Sequence, residues 1–342
     1  MSGAEFGAVL HEMLSDADVA GVARSWADGD LGPGRALWQR LAGLGVTALA
    51  VPEKRGGLGA GPADLVTACE ELGHHAVPGP VAESLAAVPV LLAVLDDAGG
   101  EGLLALEDAG GWLGGLANGK AIATLAAPPA VPLAAGAEVA GLVLLAADGV
   151  VSVGRAGERY RSVDPGRSLA EVRGERVVAR GADGAVARAL DFGALACAAQ
   201  LLGAGRALLE ASVRHARVRE QFGRPVGAFQ AVKHRLADVA IGLEFARPLL
   251  GAAAAALAGD GPTAGDGPTA GRDVSAAKVA CADAAYRAAR AALQVHGAIG
   301  YTAEHELSRF LLQVRALVPA WGTPAEHRAR VLRELGPAEG RP

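Results

Sequence analysis

The chain has 342 residues, 51% of them hydrophobic, and a formal net charge of −5. It is long enough for two or three domains with sizeable cores, and it lacks the basic balance of a general nucleic-acid binder. Its three cysteines, Cys69, Cys197 and Cys281, lie far apart without a CxxC pair, which argues against a disulfide framework or a cysteine zinc site and for small buried residues in a reducing compartment.

The opening MSGAEFGAVLHEML carries acidic residues and no basic segment before an apolar core, so no signal peptide is expected. No uninterrupted run of about 18 apolar residues predicts a membrane span, and the expected location is cytoplasmic. Residues 1–116 read as a helical domain. Phe6, Leu10 and Leu14 recur at i, i+4, and Asp30 is placed to cap a helix containing Trp38 and Leu41. The run Val46–Pro52 is followed by GGLG at Gly56–Gly59. That is not GxGxxG and no βαβ unit follows, so a tight turn is expected rather than a phosphate loop.

Residues 117–190 change character. Pro128, Pro129 and Pro132 come early, then short β-like runs at Gly141–Ala146, Val150–Val153 and Arg176–Ala179, with Asp148-Gly149 and Asp183-Gly184 as turn signals. A small antiparallel sheet domain is expected. Residues 191–342 are helical again, interrupted by two copies of DGPTAG at 260–265 and 266–271, read as a mobile loop between antiparallel helices. Leu243–Leu257 and Ser275–Leu293 are rich in Ala and Leu with few charges. Such helices bury more than one stripe, which predicts a dimer or tetramer built on this region.

Within that region, Arg214, His215, Arg217 and Arg219 crowd the end of one helix. Gly223 and Pro225 break it, and a second apolar-periodic run starts near Phe229. An Arg cluster at such a corner suits a phosphate, and equally a solvated helix end favoured by the helix dipole.

Arg219–Asp238 (REQFGRPVGAFQAVKHRLAD) fits the pattern RxQFGxPxxxFQxxxHxLAD and closely resembles a signature of the acyl-CoA dehydrogenase family. Gln294–Arg315 (QVHGAIGYTAEHELSRFLLQVR) resembles that family's other C-terminal signature, and Trp38–Gly73 its N-terminal pattern. The resemblance implies an α+β multidomain fold: an N-terminal helical domain, a middle β domain, here reduced, and a C-terminal four-helix bundle. It also implies FAD as cofactor, shared across a subunit interface, an acyl-CoA thioester as substrate, and electron-transfer flavoprotein as a partner.

Carried over residue by residue, Arg219 would pair with the FAD pyrophosphate, Gln221 would hydrogen-bond to it, and Phe222 would pack near the cofactor. Gln294, His296, Gly297 and Ala298 would contact the adenosine end across the interface, and Thr323 joins the cofactor set. The family usually keeps a second glycine where Ala298 stands. Its flavin-contacting TEPxxGSD-like loop corresponds here to ATLAAPPAVPLAAG, which has no Glu-Pro, no Ser-Asp and no Trp.

The family places its catalytic Glu in one of two positions. Here they hold Trp321, in Ala320-Trp321-Gly322-Thr323, and Gly193. Neither can take a proton from carbon, so no catalytic residue is assigned. Asp191 is the one nearby substitute, although two residues along a helix turn a side chain by about 200°. His215, His234, His296 and His305 read as structural, Glu304 and Glu306 as first-turn acids, and Glu70 and Glu71 as structural family residues. No metal site is expected, and there is no Gly-x-Ser-x-Gly.

The C-terminal HGAIGYTAEHEL and GTPAEHR most resemble a bacterial branch in which steroid-degrading enzymes combine two unlike dehydrogenase-like chains. Three readings follow: a subunit completing the FAD site of a partner chain in acyl-CoA α,β-desaturation, a self-sufficient enzyme with a displaced base, or a flavin-free scaffold on the same fold.

Overall fold

The structure is a computed structural model that describes residues 3–98, 109–259, 268–302 and 305–336. Helices α1 (Gly3–Asp16), α2 (Val19–Ala27), α3 (Gly32–Gly43), α4 (Pro62–His74), α5 (Val88–Asp97) and α6 (Ala109–Ala117) precede the sheet. The i, i+4 residues Phe6, Leu10 and Leu14 are the buried face of α1. Asp30 accepts from the N–H of Gly32 at 3.0 Å, so it takes up a free amide at the start of α3, one residue before the formal cap Leu31. GGLG is a tight turn: Gly59 N donates to Val51 O at 2.8 Å and Leu58 N to Ala48 O at 2.9 Å. Just before α5, Glu83–Ala87 is a single π-helical turn, a form that recurs at functional sites.

The middle sheet has five strands in the order β1-β3-β4-β5-β2: β1 (Ala123–Ala126), β2 (Ala134–Ala135), β3 (Leu142–Ala147), β4 (Val150–Tyr160) and β5 (Leu169–Arg180). It is mixed rather than antiparallel, because β1 pairs parallel with β3. Asp148 (φ 52°) and Gly149 (φ 71°) form the two-residue hairpin turn between β3 and β4. The two edge strands are drawn together where Thr124 Oγ1 of β1 donates to Ala135 O of β2 at 2.6 Å. A small second core of Ala126, Ala134, Ala137 and Ala170 fills this end. Asp183-Gly184 is not a turn between strands. It opens helix α7 (Asp183–Val218), where an acidic residue meets the positive end of the helix dipole.

Helix α7 is the spine of the C-terminal region, with α8 (Gln230–Leu257), α9 (Pro268–His296), α10 (Leu307–Leu317) and α11 (Pro324–Leu335) around it. The first DGPTAG copy and the start of the second lie outside the described residues. From Pro268 the second copy is already helix, with Pro in the first turn, where its missing N–H costs nothing. Ala194 to Gly205 of α7 are buried without a break, because α4 packs against one side and α8 and α9 against others.

Backbones touch at the α4–α7 crossing. A Cβ on Gly203 would lie 1.9 Å from Glu70 O, and one on Gly73 would lie 2.1 Å from Gln200 O. Beside this crossing Arg206 donates to Glu70 (2.7 Å) and Glu71 (2.8 Å), and Arg247 of α8 donates to Glu70 (3.0 Å). Both acids are thus held by ion pairs at this crossing. All three cysteines are buried and free.

Among the described residues, two helices are long and apolar enough to cross a membrane by length and composition. In α7 that window is 89% buried inside the protein, and in α8 it is 33% buried.

The crossing yields the first prediction. Gly203→Ala forces a methyl group onto backbone, which neither helix can yield by a rotamer change, and should destabilise the chain by roughly 1–3 kcal/mol. Guanidinium denaturation checks this. A change within about 0.5 kcal/mol, the range of neutral surface substitutions, would contradict the packing.

Candidate functional site

The residues singled out by sequence fall at two places on α7. One is its C-terminal end. The helix stops at Val218, five residues before Gly223, and the next residues make a two-stranded hairpin of β6 (Glu220–Gln221) and β7 (Arg224–Pro225). Its turn is Phe222 (φ 54°) and Gly223 (φ 76°). A bulky residue in the left-handed region is strained, yet the Phe222 side chain is 92% exposed. Its ring meets Phe229 edge-on at 6.2 Å, and Arg224 lies 4.1 Å over the Phe229 ring. Arg219 is held through its backbone, donating to His215 O (2.9 Å) and accepting from Val226 N (2.7 Å), which leaves the guanidinium at the surface. Gln221 is exposed, with Nε2 donating to Glu220 O at 2.8 Å.

The second signature reaches the same end. His296, the last residue of α9, stacks on His215 with ring centroids 4.3 Å apart, and His305 lies 5.3 Å from it. His296 is buried and Nδ1 donates to Ala292 O at 2.8 Å; burial holds both His215 and His296 below the usual imidazole range. Gln294, Gly297 (φ 62°) and Ala298 are exposed beside them.

The other place is near the N-terminal third of α7. From Gly193 to Val218 runs roughly 38 Å of helix at 1.5 Å per residue. Thr323 and Trp321 therefore belong to a different site from Arg219. Thr323 caps α11, accepting from Glu326 N at 3.2 Å and donating through its own N to Glu326 Oε2 at 2.7 Å.

Two residues earlier Trp321 is buried at φ 60°. Its indole lies against Gly193, where a Cβ would meet ring carbons at 2.2 and 2.3 Å. The two positions at which the family keeps a Glu thus converge on one point, and the indole fills it.

The loop carrying Trp321 is tied down from several sides. His327 Nε2 donates to Trp321 O at 2.9 Å, since a carbonyl only accepts, and Nδ1 then accepts from Ser275 Oγ at 3.0 Å. Burial takes the His327 pKa down to about 4, consistent with this neutral tautomer. Lys278, fully buried, donates to Leu317 O (3.2 Å) and Val318 O (2.9 Å) at the C-terminal end of α10, a favourable place for a cation. Burial lowers its pKa.

Sequence reading missed Glu83. It lies in an apolar stretch, PVAESLAAVPVLL, and only the fold shows that the π-helical turn aims it inward. Its carboxylate is buried and lies 3.5 Å from Arg167, with Trp321 lining the same small cavity. Burial pushes its pKa up against the pull of Arg167. The cavity shared by Glu83, Arg167, Gln200, Gln313 and Trp321 is about 20 Å³, room for one water-sized molecule. Asp191 faces elsewhere: Arg330 of α11 clamps both its oxygens, Nη2 on Oδ2 at 3.1 Å.

The fit to a flavin differs between the two ends. Where the family's flavin loop would lie, Ala127 and Val131 bond to each other (2.7 and 2.9 Å), Thr124 is spent on Ala135 O, and Ala123 N donates to Ser84 Oγ at 3.1 Å. Those donors are committed, so this face does not fit an isoalloxazine. The hairpin end presents surface Arg219, Gln221 and an exposed aromatic ring, donors and a ring face that fit the phosphates of a dinucleotide.

Residues 11–103 match the acyl-CoA dehydrogenase N-terminal domain, and residues 180–336 the acyl-CoA dehydrogenase C-terminal domain. Acyl-CoA dehydrogenase IpdE2 of Mycobacterium tuberculosis is 31% identical over 310 residues, covering 90% of this chain and 87% of that protein. The chain belongs to the acyl-CoA dehydrogenase family. Among solved structures, the ChsE4–ChsE5 complex from Mycobacterium tuberculosis is similar over 99% of this chain and 98% of the matched chain, with TM-score 0.79 and 25% identity. A variant of the steroid acyl-CoA dehydrogenase Tcur3481–Tcur3483 shares the fold over 97% of both chains, with TM-score 0.79 and 23% identity. The membership accounts for α7 and α8 as packed helices of the C-terminal domain.

The contact between the two base positions is directly testable. Gly193→Ala should cost roughly 1–3 kcal/mol by overpacking against the indole, and much less in a Trp321→Ala background, where the ring is gone. A double-mutant cycle by chemical denaturation checks it, and additive effects would contradict the contact.

Proposed function

We propose that the chain is the base-less subunit of a heteromeric flavin-dependent acyl-CoA dehydrogenase, and that it completes the FAD site of an unlike partner chain. The observation that carries the reading is the Trp321–Gly193 contact. At the point where a carboxylate would take the α-proton there is an indole, and the cavity beside it has room for about one water. An acyl chain has no place there. A positioned base contributes roughly 10²–10⁴-fold to such a proton transfer, so its loss leaves this half of the assembly without desaturation chemistry.

The opposite end of α7 supplies what the partner's site needs. The strained, exposed Phe222 costs stability in a lone chain and becomes useful once another subunit covers it. Arg219 offers a planar fork to the pyrophosphate, with Gln221 and the backbone at Gln294–Ala298 beside it. The flavin, when bound, accepts the hydride from the substrate β-carbon, and this chain's residues would hold and orient its phosphate and adenosine portions. Ile241, Phe245 and Leu249 form an exposed apolar stripe on α8, Phe245 being 72% exposed, and supply a second surface for assembly into a dimer or heterotetramer. Steroid-derived or other lipid acyl-CoA thioesters are the substrate class, and electron-transfer flavoprotein the electron acceptor, by the resemblance to the two-chain relatives.

The self-sufficient reading retains one observation. Glu83 is a carboxyl of raised pKa beside Trp321, whereas Asp191 is neutralised by Arg330. If Glu83 were the base, the lone chain with FAD would be reduced by an acyl-CoA, and Glu83→Gln would abolish the reduction.

Anaerobic mixing of the lone chain and FAD with a panel of acyl-CoAs should give no flavin bleaching. The complex with its partner chain should bleach. In that complex Arg219→Ala should weaken FAD binding by about tenfold or more, the loss of one charge-assisted contact of roughly 1.5–3 kcal/mol. Bleaching by the lone chain would overturn the base-less reading, and an unchanged FAD dissociation constant would reduce Arg219 to a solvated helix end. A complex that binds no flavin would favour the scaffold.

A further inference from the structure

Between those two ends, α1 and the end of α4 bring three imidazoles together. His11 comes from the middle of α1, His74 is the last residue of α4 and His75 follows it. One ring nitrogen from each lies within 4.8 Å of the others, and the ring centroids are 5.2, 4.8 and 5.1 Å apart. The His75 Nε2 to His11 Nδ1 distance is 3.3 Å. Two nitrogens bound to one tetrahedral zinc at about 2.0–2.1 Å are about 3.3 Å apart. Glu71 closes the group, with Oε2 at 2.8 Å from His11 Nδ1 while Oε1 accepts from Arg206 at 2.8 Å.

A His11 Nδ1–H can serve the Glu71 carboxylate at 2.8 Å and a hydrogen-free His75 Nε2 at 3.3 Å, and a cation in place of that hydrogen would meet the same lone pairs. His74 Nδ1 is buried and has no hydrogen-bond partner, and its Nε2 lies 3.6 Å from the Glu210 carboxylate. A ligating histidine backed by a carboxylate on its other nitrogen is the usual outer-shell pattern of a metal site.

We propose that His11, His74 and His75, with Glu71 as an oxygen ligand, form a binding site for a borderline divalent transition metal of the zinc class. One cation accepts all the converging lone pairs at once. Imidazole and carboxylate without thiolate suit Zn²⁺, Co²⁺ and Ni²⁺. Burial keeps His74 and His75 neutral, with pKa values lowered to about 3 and about 4, so their lone pairs are free for a metal at neutral pH. The bound ion would fasten α1 to α4 and, through Glu71 and Arg206, to α7. The site stands independently of the flavin reading.

The test uses the untagged full-length chain, stripped with a chelator and titrated with Zn²⁺, with Co²⁺ as spectroscopic probe. The expected result is one ion per chain, visible Co²⁺ bands of nitrogen–oxygen ligation, and a higher thermal midpoint with Zn²⁺. The His11 side chain is 43% exposed, so His11→Gln should keep the wild-type circular dichroism yet bind at least tenfold more weakly. His215→Gln, in the other histidine group, should bind as wild type does. In the wild type, Zn²⁺ should also shield His11 and His75, and not His215, from diethyl pyrocarbonate. Equal affinity in wild type and His11→Gln, loss of binding in His215→Gln, or modification of His11 and His75 unaffected by Zn²⁺ would overturn the site.

Discussion

Close approach to one helix organises this molecule. Helix α7 lacks a Cβ at Gly193, Gly203 and Gly205, and each absence admits a different neighbour: the Trp321 indole, the backbone of α4, and Leu243 of α8 with Ala285 of α9. Alanine takes half of its other buried positions, so helices meet at short range with little side-chain entropy lost. An Ala- and Gly-rich spine of this kind tolerates little added volume. Its packing reaches from the α4 crossing, where Arg206 and Arg247 neutralise Glu70 and Glu71, to the loop that carries Trp321.

The same spine separates two chemistries. Its N-terminal third faces a buried polar group, Glu83 with Arg167, capped by the Trp321 indole and held by the His327 and Lys278 hydrogen bonds. Glu83 faces Arg167 there, and the space left beside them is about 20 Å³. Its C-terminal end faces outward, with a guanidinium, an amide and a phenyl ring presented on a tight hairpin. A site closed at one end and exposed at the other is the pattern expected when one chain serves as half of a shared centre. The fold is common to the family.

Much of this was legible in the sequence. The i, i+4 spacing of Phe6, Leu10 and Leu14 gives α1 directly, and ordered motifs identify the family fold and locate Gly193 and Trp321. That the indole lies on the glycine needed the fold, because the two residues are 128 positions apart. The hairpin at Glu220–Pro225 was hidden because Gly223 looks like a helix stop, while tertiary packing ends α7 at Val218. Asp183-Gly184 carries turn chemistry and helix-start chemistry alike. The parallel β1–β3 pair has no local signal, since pairing direction depends on distant register. Glu83 draws no attention in the sequence and Asp191 stands as a substitute base, until Arg167 and Arg330 appear beside them. His11 is 60 or more residues from His74 and His75, and no spacing rule links them.

The central claim is that each flavin is held by an unlike pair of chains to which this chain gives only the outward-facing half. The most direct measurement is the FAD content of the purified complex with its partner chain, taken from flavin absorbance after denaturation against the protein stoichiometry. The account predicts one FAD for each pair of unlike chains and none for this chain alone. Two FAD per pair, or stoichiometric FAD on the lone chain, would contradict it.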